Sequence, residues 1–289
     1  MSPGRAYALF ALVCLIFSTT WLAIRIGLED FRPLGSAGLR FLVAVPILLG
    51  YARARQVAWP RQAREWTIPL VLSLTMFTVP YALVYLGERT VPSGLAAVLF
   101  ASHAIFVALL AHFVLRDEPL TGLRVAGVLT GFAGVVVVFW DRLSGHHSWI
   151  GESALLLSAA IQSVSSVLVR RTPRLHPVVL TCIGSSVAAV LLLAASFLFE
   201  GGPMIRLTAR GVGAILYLAI FGSVIALTLT VRLIHVLGSN RVAMTVYVTP
   251  ITALVIGHVI LGETLGPRLL AGTALVIGGV WLASRASLA

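Results

Sequence analysis

Long apolar runs, each closed by a short polar interval, recur along the whole chain. Breaking the sequence at Pro, Gly and charge clusters predicts ten helices, at about 6–27, 34–51, 67–87, 92–115, 121–140, 149–169, 177–199, 211–231, 239–261 and 267–284. Each has roughly 18–24 residues, enough to cross about 30 Å of hydrocarbon at 1.5 Å per residue. The intervals are short, so successive helices are expected to pack as antiparallel neighbours. The first run is longer than a signal-peptide core and lacks a small-residue cleavage site. It reads as a retained first helix.

Composition sharpens this reading. Of 289 residues, 59% are hydrophobic and 11% charged, where a soluble domain has about 25% charged residues. The formal charge of +11 would point to nucleic acid in a soluble chain. Here the arginines gather in the polar intervals, where they set topology, and nucleic acid is not an expected partner. Thirteen arginines fall before the first helix, in even-numbered intervals or after the last helix, and six in odd-numbered intervals. "YARARQVAWPRQAREW" is the densest of these stretches. The bias predicts both termini in the cytoplasm. Cys14 and Cys182 lie far apart in apolar runs, which implies neither a disulfide framework nor a metal site.

The chain also repeats itself. At an offset of 145, residues 96–135 lie over 241–280 with nine identities, among them Glu118/Glu263, Gly127/Gly272 and Gly134/Gly279. Helices one to five thus recur as six to ten, giving a first five-helix unit over 6–140 and a second over 149–284. An odd number of spans per unit makes the second copy enter from the opposite side. The expected fold is an all-α membrane protein of two inverted five-helix repeats, with one central site at their interface.

Several stretches, in this order, resemble a known family. They are "AIRIGLE" (23–29), "LRFLVA" (39–44), "ERTVPSGLAAVL" (88–99), "AIFGSVIAL" (219–227), "YVTPITAL" (247–254) and "LGETL" (261–265) followed by Gly272 and Gly279. Together they resemble the EamA-type members of the drug/metabolite transporter superfamily, in particular the YedA- or PecM-like inner-membrane metabolite exporters. Phe17-Ser18 stands where that family usually has Trp-Gly, and Ile105 is the counterpart of Pro250. The resemblance implies a multi-pass protein of the inner membrane that exports small metabolites, such as amino acids, related compounds or drugs, by alternating access.

Candidate site residues come from charge and polarity inside apolar runs. Arg40 lies about six residues into the second helix. An arginine at a helix centre costs about 2.5–3.5 kcal/mol to insert, so it needs a partner or a wet cavity. It is read either as a binder of a carboxylate or other anion or as half of a structural ion pair. Ser18, Trp21 and Arg25 share one face of the first helix, although Arg25 could also snorkel to the interface. Tyr81, Tyr85 and Glu88 share a face of the third. Glu88 is a candidate for a buried ion pair or a proton-coupling carboxylate, or for a surface pair with Arg89. His103, a third of the way into the fourth helix, is a candidate proton relay or a hydrogen-bonded packing residue. In the second half, Ser158, Gln162 and Ser165 form one face of helix six. Arg241, Thr245, Thr249 and Thr252 lie along one face of helix nine. These hydroxyls either meet substrate or bond within the bundle. The substrate-binding set is therefore Trp21, Arg25, Arg40, Tyr81, Tyr85, Glu88, His103, Gln162, Thr245 and Thr249. No catalytic residue, cofactor or metal is expected.

Two further features narrow the function. Enzyme signatures and a phosphate-binding loop with Lys are absent, since the chain has no Lys. That leaves an ion gradient, including proton coupling, or the substrate gradient as the energy source. The alternatives are a transporter of anionic sugars or phosphates, gripped by Arg25 and Arg40, and a non-transporting sensor or scaffold subunit. The acidic turns around Asp117-Glu118 and Glu263 read as helix-start devices on opposite sides of the membrane rather than as a site. Gly127, Gly131, Gly272, Gly278 and Gly279 read as close-packing positions.

Overall fold

The computed structural model describes the chain except for residues 1–2, 115–120, 141–148, 173–175, 244, 246–248, 250–257, 261, 263–265 and 286–289. The acidic turns with Asp117, Glu118 and Glu263 lie outside the described residues, as do Tyr247, Pro250 and Thr252. The described part is all-helical, with only an isolated bridge between Phe31 and Met204. The elements are α1 (Pro3–Gly27), α2 (Pro33–Ala54), α3 (Ala63–Glu88), α4 (Ser93–Val114), α5 (Gly122–Trp140), α6 (Trp149–Arg171), α7 (Pro177–Glu200), α8 (Ala209–Leu237), α9 (Ser239–Ala243) and α10 (Pro267–Arg285). Among the described residues seven helices, α1–α4 and α6–α8, are long and apolar enough to cross a membrane. Leu15, Leu129 and Val190 point outward from the bundle. A lipid surround accounts for so much outward apolar area.

Local chemistry explains where the helices begin. Pro33 and Pro177 occupy the first turns of α2 and α7, where a missing N–H costs nothing. Gln62 and Glu65 form a reciprocal cap at the start of α3. Thr208 caps α8 by accepting the Gly211 N–H at 3.0 Å.

Three departures from regular helix shape the interior. In α3 the stretch Ser73–Thr78 is wound as π-helix just before Pro80. Pro80 has no N–H for the ladder, and the wider turn absorbs it. In α8 the stretch Leu218–Leu227 is also π-helix, around the Gly222-Ser223 pair. The two stretches start 145 residues apart, the offset of the sequence repeat. In α4 the ladder breaks at Ala101–Ser102, where the Ser102 hydroxyl donates to the Leu99 carbonyl at 2.7 Å.

Helices at matching positions of the two halves pack on each other, α2 on α7 and α5 on α10. Glycines permit the second contact. A Cβ at Gly279 would lie 2.3 Å from the Gly131 amide nitrogen, and one at Gly134 2.6 Å from the Val276 nitrogen. This bears out close packing for Gly131 and Gly279. Gly278 faces open space, so its expected packing role does not hold. It is turned away from α5, one position round the helix.

The halves are also latched through two connections. The Glu200 carboxylate accepts the Leu34 and Gly35 N–H groups at 3.1 and 3.2 Å, at the positive end of α2. The Asp30 carbonyl accepts from the Ile205 and Arg206 amides, and its carboxylate accepts from Arg206 and Thr208. Arg210 pairs with Glu29 at 3.1 Å.

Gly279→Ala should lower stability by about 1–3 kcal/mol through overpacking, read as a lower thermal-unfolding midpoint, while Gly278→Ala leaves it unchanged. A second expectation concerns acid. The Thr208 hydroxyl, with Arg206, holds the Asp30 carboxyl below its ordinary value of 3.8. A depressed folded-state pKa stabilises above the unfolded value and ceases to do so as pH falls through the folded one. Asp30→Asn should therefore unfold earlier than the parent at neutral pH, with the two midpoints converging below about pH 4.

Candidate functional site

A cavity lies in the middle of the bundle between α1, α2, α3, α4, α6, α8 and the residues after Gly238. Its centre offers about 100 Å³ to the centres of water-sized molecules. That is room for roughly eight waters, or a small metabolite. The three irregular stretches border it. The π-helix of α3 contributes Met76, the break in α4 sets Phe100 and His103 on the same wall, and the π-helix of α8 contributes Leu227.

Arg40 supplies the cavity's charge. It is 1% exposed. Its Nε donates to Ser223 Oγ at 3.0 Å and its Nη1 to the Tyr85 hydroxyl at 3.3 Å. Its guanidinium lies over the Phe41 and Tyr81 rings, 5.3 and 4.9 Å from their centroids. Such contacts contribute about 2 kcal/mol where water is excluded. Nη2 has no hydrogen-bond partner among the described residues, and Arg40 forms no ion pair among them. The structural ion-pair alternative for Arg40 is therefore overturned within the described residues.

Close approach makes this possible. A Cβ at Gly222 would stand 2.7 Å from Arg40 Nη2. The matching contact in the other half is reversed. With α2 and α7 aligned on Pro33 and Pro177, Arg40 corresponds to Gly184. With the π stretches aligned, Gly222 corresponds to Phe77. A Cβ at Gly184 would stand 2.4 Å from the Phe77 ring. One contact thus buries a guanidinium over a glycine, and its counterpart buries a phenyl ring over a glycine.

The cavity gathers seven of the ten residues expected from the sequence: Trp21, Arg40, Tyr81, His103, Gln162, Thr245 and Thr249. Trp21 meets Phe100 edge-on at 5.6 Å, and His103 stacks on Phe100 at 5.9 Å. His103 Nε2 lies 3.2 Å from Ser166 Oγ, which matches the hydrogen-bonded reading of this residue. Tyr85, Arg25 and Glu88 do not line the cavity. Tyr85 lies behind Arg40 and supports it. Arg25 reaches sideways and donates to the Glu88 backbone carbonyl at 2.6 Å, so it neither snorkels nor joins Arg40. Glu88 is wholly buried, which excludes the surface pair with Arg89.

The face of Ser158, Gln162 and Ser165 also divides. Ser158 donates to the Pro80 carbonyl at 2.9 Å and Ser165 to the Thr75 hydroxyl at 2.7 Å, so both join α6 to α3. Only Gln162 of the three lines the cavity. Sequence reasoning missed Phe17, Thr20, Ser166, Ser223 and Thr230. Ser166 lies four residues beyond Gln162, on the same helix face, and that spacing could have found it. Ser223 has no such signal, because its partner is 183 residues away.

Comparisons with known proteins agree with this architecture. The model of the EamA-like transporter family matches residues 4–140 and again 149–285. The uncharacterized inner membrane transporter YedA of Escherichia coli is 31% identical over 268 residues, covering 89% of this chain and 83% of its own. Protein PagO of Salmonella typhimurium is 26% identical, covering 93% and 90%. A probable amino-acid metabolite efflux pump of the same organism is 28% identical, covering 94% and 92%. A protein of known crystal structure superposes with a TM-score of 0.74 over 99% of both chains at 23% identity, which shows the shared fold alone.

Gly222→Ala should displace the guanidinium while the scaffold stays folded, because the group it strikes is the end of a side chain. The expected result is at least a tenfold loss of transport with little change in the unfolding midpoint, measured together on one preparation. Ser223→Ala leaves Nε without its acceptor and should cost about 1–3 kcal/mol of stability.

Proposed function

This chain belongs to the EamA-like transporter family, and from that membership we propose that it is a secondary transporter that exports small metabolites by alternating access. It is a multi-pass protein of the inner membrane. The observation that carries the proposal is the central cavity, lined from both matched segments and holding a buried cation without an ion-pair partner among the described residues.

Ten spans, inverted five-helix repeats and cytoplasmic termini belong to the same reading. Its support is the double family match, the arginine bias and the pairing of equivalent helices, α2 with α7, α5 with α10, and α1 with α8 as α6 with α3. In this topology the latch of Asp30, Glu200 and Arg206 lies on the periplasmic side. Rocking of one half against the other would expose the cavity to each side in turn. The outward direction is supported by the relative named as an efflux pump. Trp21, Arg40, Tyr81, His103, Gln162, Thr245 and Thr249 form the proposed substrate site. His103 and Glu88 are the candidates for proton coupling. The placement of Arg25 outside the cavity weighs against a paired grip on sugar phosphates.

Purified protein in liposomes, given a panel of small metabolites and an imposed pH gradient, should move at least one compound faster than empty liposomes do. Arg40→Ala should reduce that flux at least tenfold. Folded protein that moves none of the panel would sink the transporter reading.

A further inference from the structure

The transport reading leaves the substrate open, and the charge inventory of the cavity narrows it. We infer that the cavity selects a monocarboxylate anion with a flat apolar body, held by Arg40, and rejects amino acids and amines built on the same body. This inference rests on the transporter reading of the same cavity.

The charge comes first. Arg40 has only neutral partners, the Ser223 and Tyr85 hydroxyls, and its Nη2 is unpartnered among the described residues. A cation in an apolar interior is stabilised most by an anion that shares its hydrogen bonds. Among the described residues no Asp or Glu lines the cavity. Glu29 and Asp30 are engaged by Arg210, Arg206 and Thr208 in the latch. Glu65 and Glu200 accept from backbone amides at helix starts. Glu88 is buried at the end of α3, within electrostatic reach of Tyr85, and Glu152 at the start of α6; neither is among the described residues that line the cavity. Asp117, Glu118, Asp141 and Glu263 fall between apolar runs in the sequence. The stretch from Met244 to Gly257, partly outside the described residues, contains no acid at all. No carboxylate among the described residues bonds Arg40, which leaves that position to an anionic ligand.

One guanidinium matches one carboxylate. A doubly charged phosphate would call for a second cation, and Arg25 is committed to the Glu88 carbonyl. The body follows from the walls. Phe17, Trp21, Tyr81 and Phe100 give the cavity aromatic walls, and Tyr81 lies against Arg40. The available space suits an acid about the size of a substituted benzene ring with a short side chain. An ammonium in that space would meet aromatic faces and neutral acceptors but no carboxylate among the described lining residues, and the like charge of Arg40 opposes it in a medium of low dielectric constant.

Four compounds that share one body separate these terms: 3-phenylpropionate, 3-phenylpropionamide, phenylalanine and 2-phenylethylamine. Their binding to the full-length protein in nanodiscs at neutral pH can be measured by calorimetry, with Trp fluorescence as a second readout. The expected result is that 3-phenylpropionate binds at least tenfold tighter than each of the other three. In Arg40→Gln the acid and the amide should bind within about twofold of each other. The acid-to-amide ratio in the parent protein needs no variant, so it decides the matter even where Arg40→Gln fails to fold. Equal binding of acid and amide, phenylalanine or phenylethylamine binding as tightly as the acid, or no binding of the acid would each overturn the inference. Liposome flux of another compound, without any preference for the acid, would overturn it while leaving the transporter reading standing. Acid-selective binding with no flux of any compound would do the reverse.

Discussion

Hydrocarbon offers no hydrogen bonds, so every polar group inside the bilayer must find its partner within the protein. Regular helix meets this demand for the backbone. The arrangement of the interior follows from the places where it is not met so simply. Arg40 is the extreme case: its charge is shared among two hydroxyls and two aromatic faces, and the glycine opposite makes room for it. The segments of α3 and α8 beside it have to be shaped to deliver those partners.

The same constraint explains the irregular helices. Pro80 interrupts the ladder of α3, and its own carbonyl accepts from Ser158 of the neighbouring α6, which ties the irregular stretch to that helix. The Thr78 hydroxyl donates to the Ser73 carbonyl across the widened turn. Ser102 does the same for the break in α4. Each repair uses a hydroxyl that bonds the backbone rather than the cavity. The same stretches carry side chains that line the centre: Met76 and Tyr81 in α3, Phe100 and His103 in α4. The cavity is thus bounded by places where the helical ladder is interrupted and mended.

Duplication accounts for the scaffold, and divergence for the chemistry. Equivalent helices pack on each other, and the π stretches of α3 and α8 begin at equivalent positions. The contact of Arg40 on Gly222 has its counterpart in Phe77 on Gly184, with large and small residues exchanged between helices. A guanidinium therefore occupies one of the two equivalent contacts and a phenyl ring the other. In the latch between the two connections, Asp30 pairs with Arg206, and Glu200 accepts from the amides at the start of α2.

The sequence by itself determined the membrane class, the positions of the seven long described helices to within about six residues, the duplication, and the prominence of Arg40 as a charge within an apolar run. These are properties of local composition and period, which a linear reading captures. It also brought seven cavity residues into view, because spacing along one helix reveals which side chains share a face. Tertiary structure decided which face meets which. It placed Arg25 against the Glu88 carbonyl rather than beside Arg40, turned Ser158 and Ser165 toward α3, and set Ser223 against a guanidinium from the other half of the chain. No periodicity within one helix encodes such partners. They depend on how two helices distant in sequence cross, and on a glycine at the crossing that lets them approach.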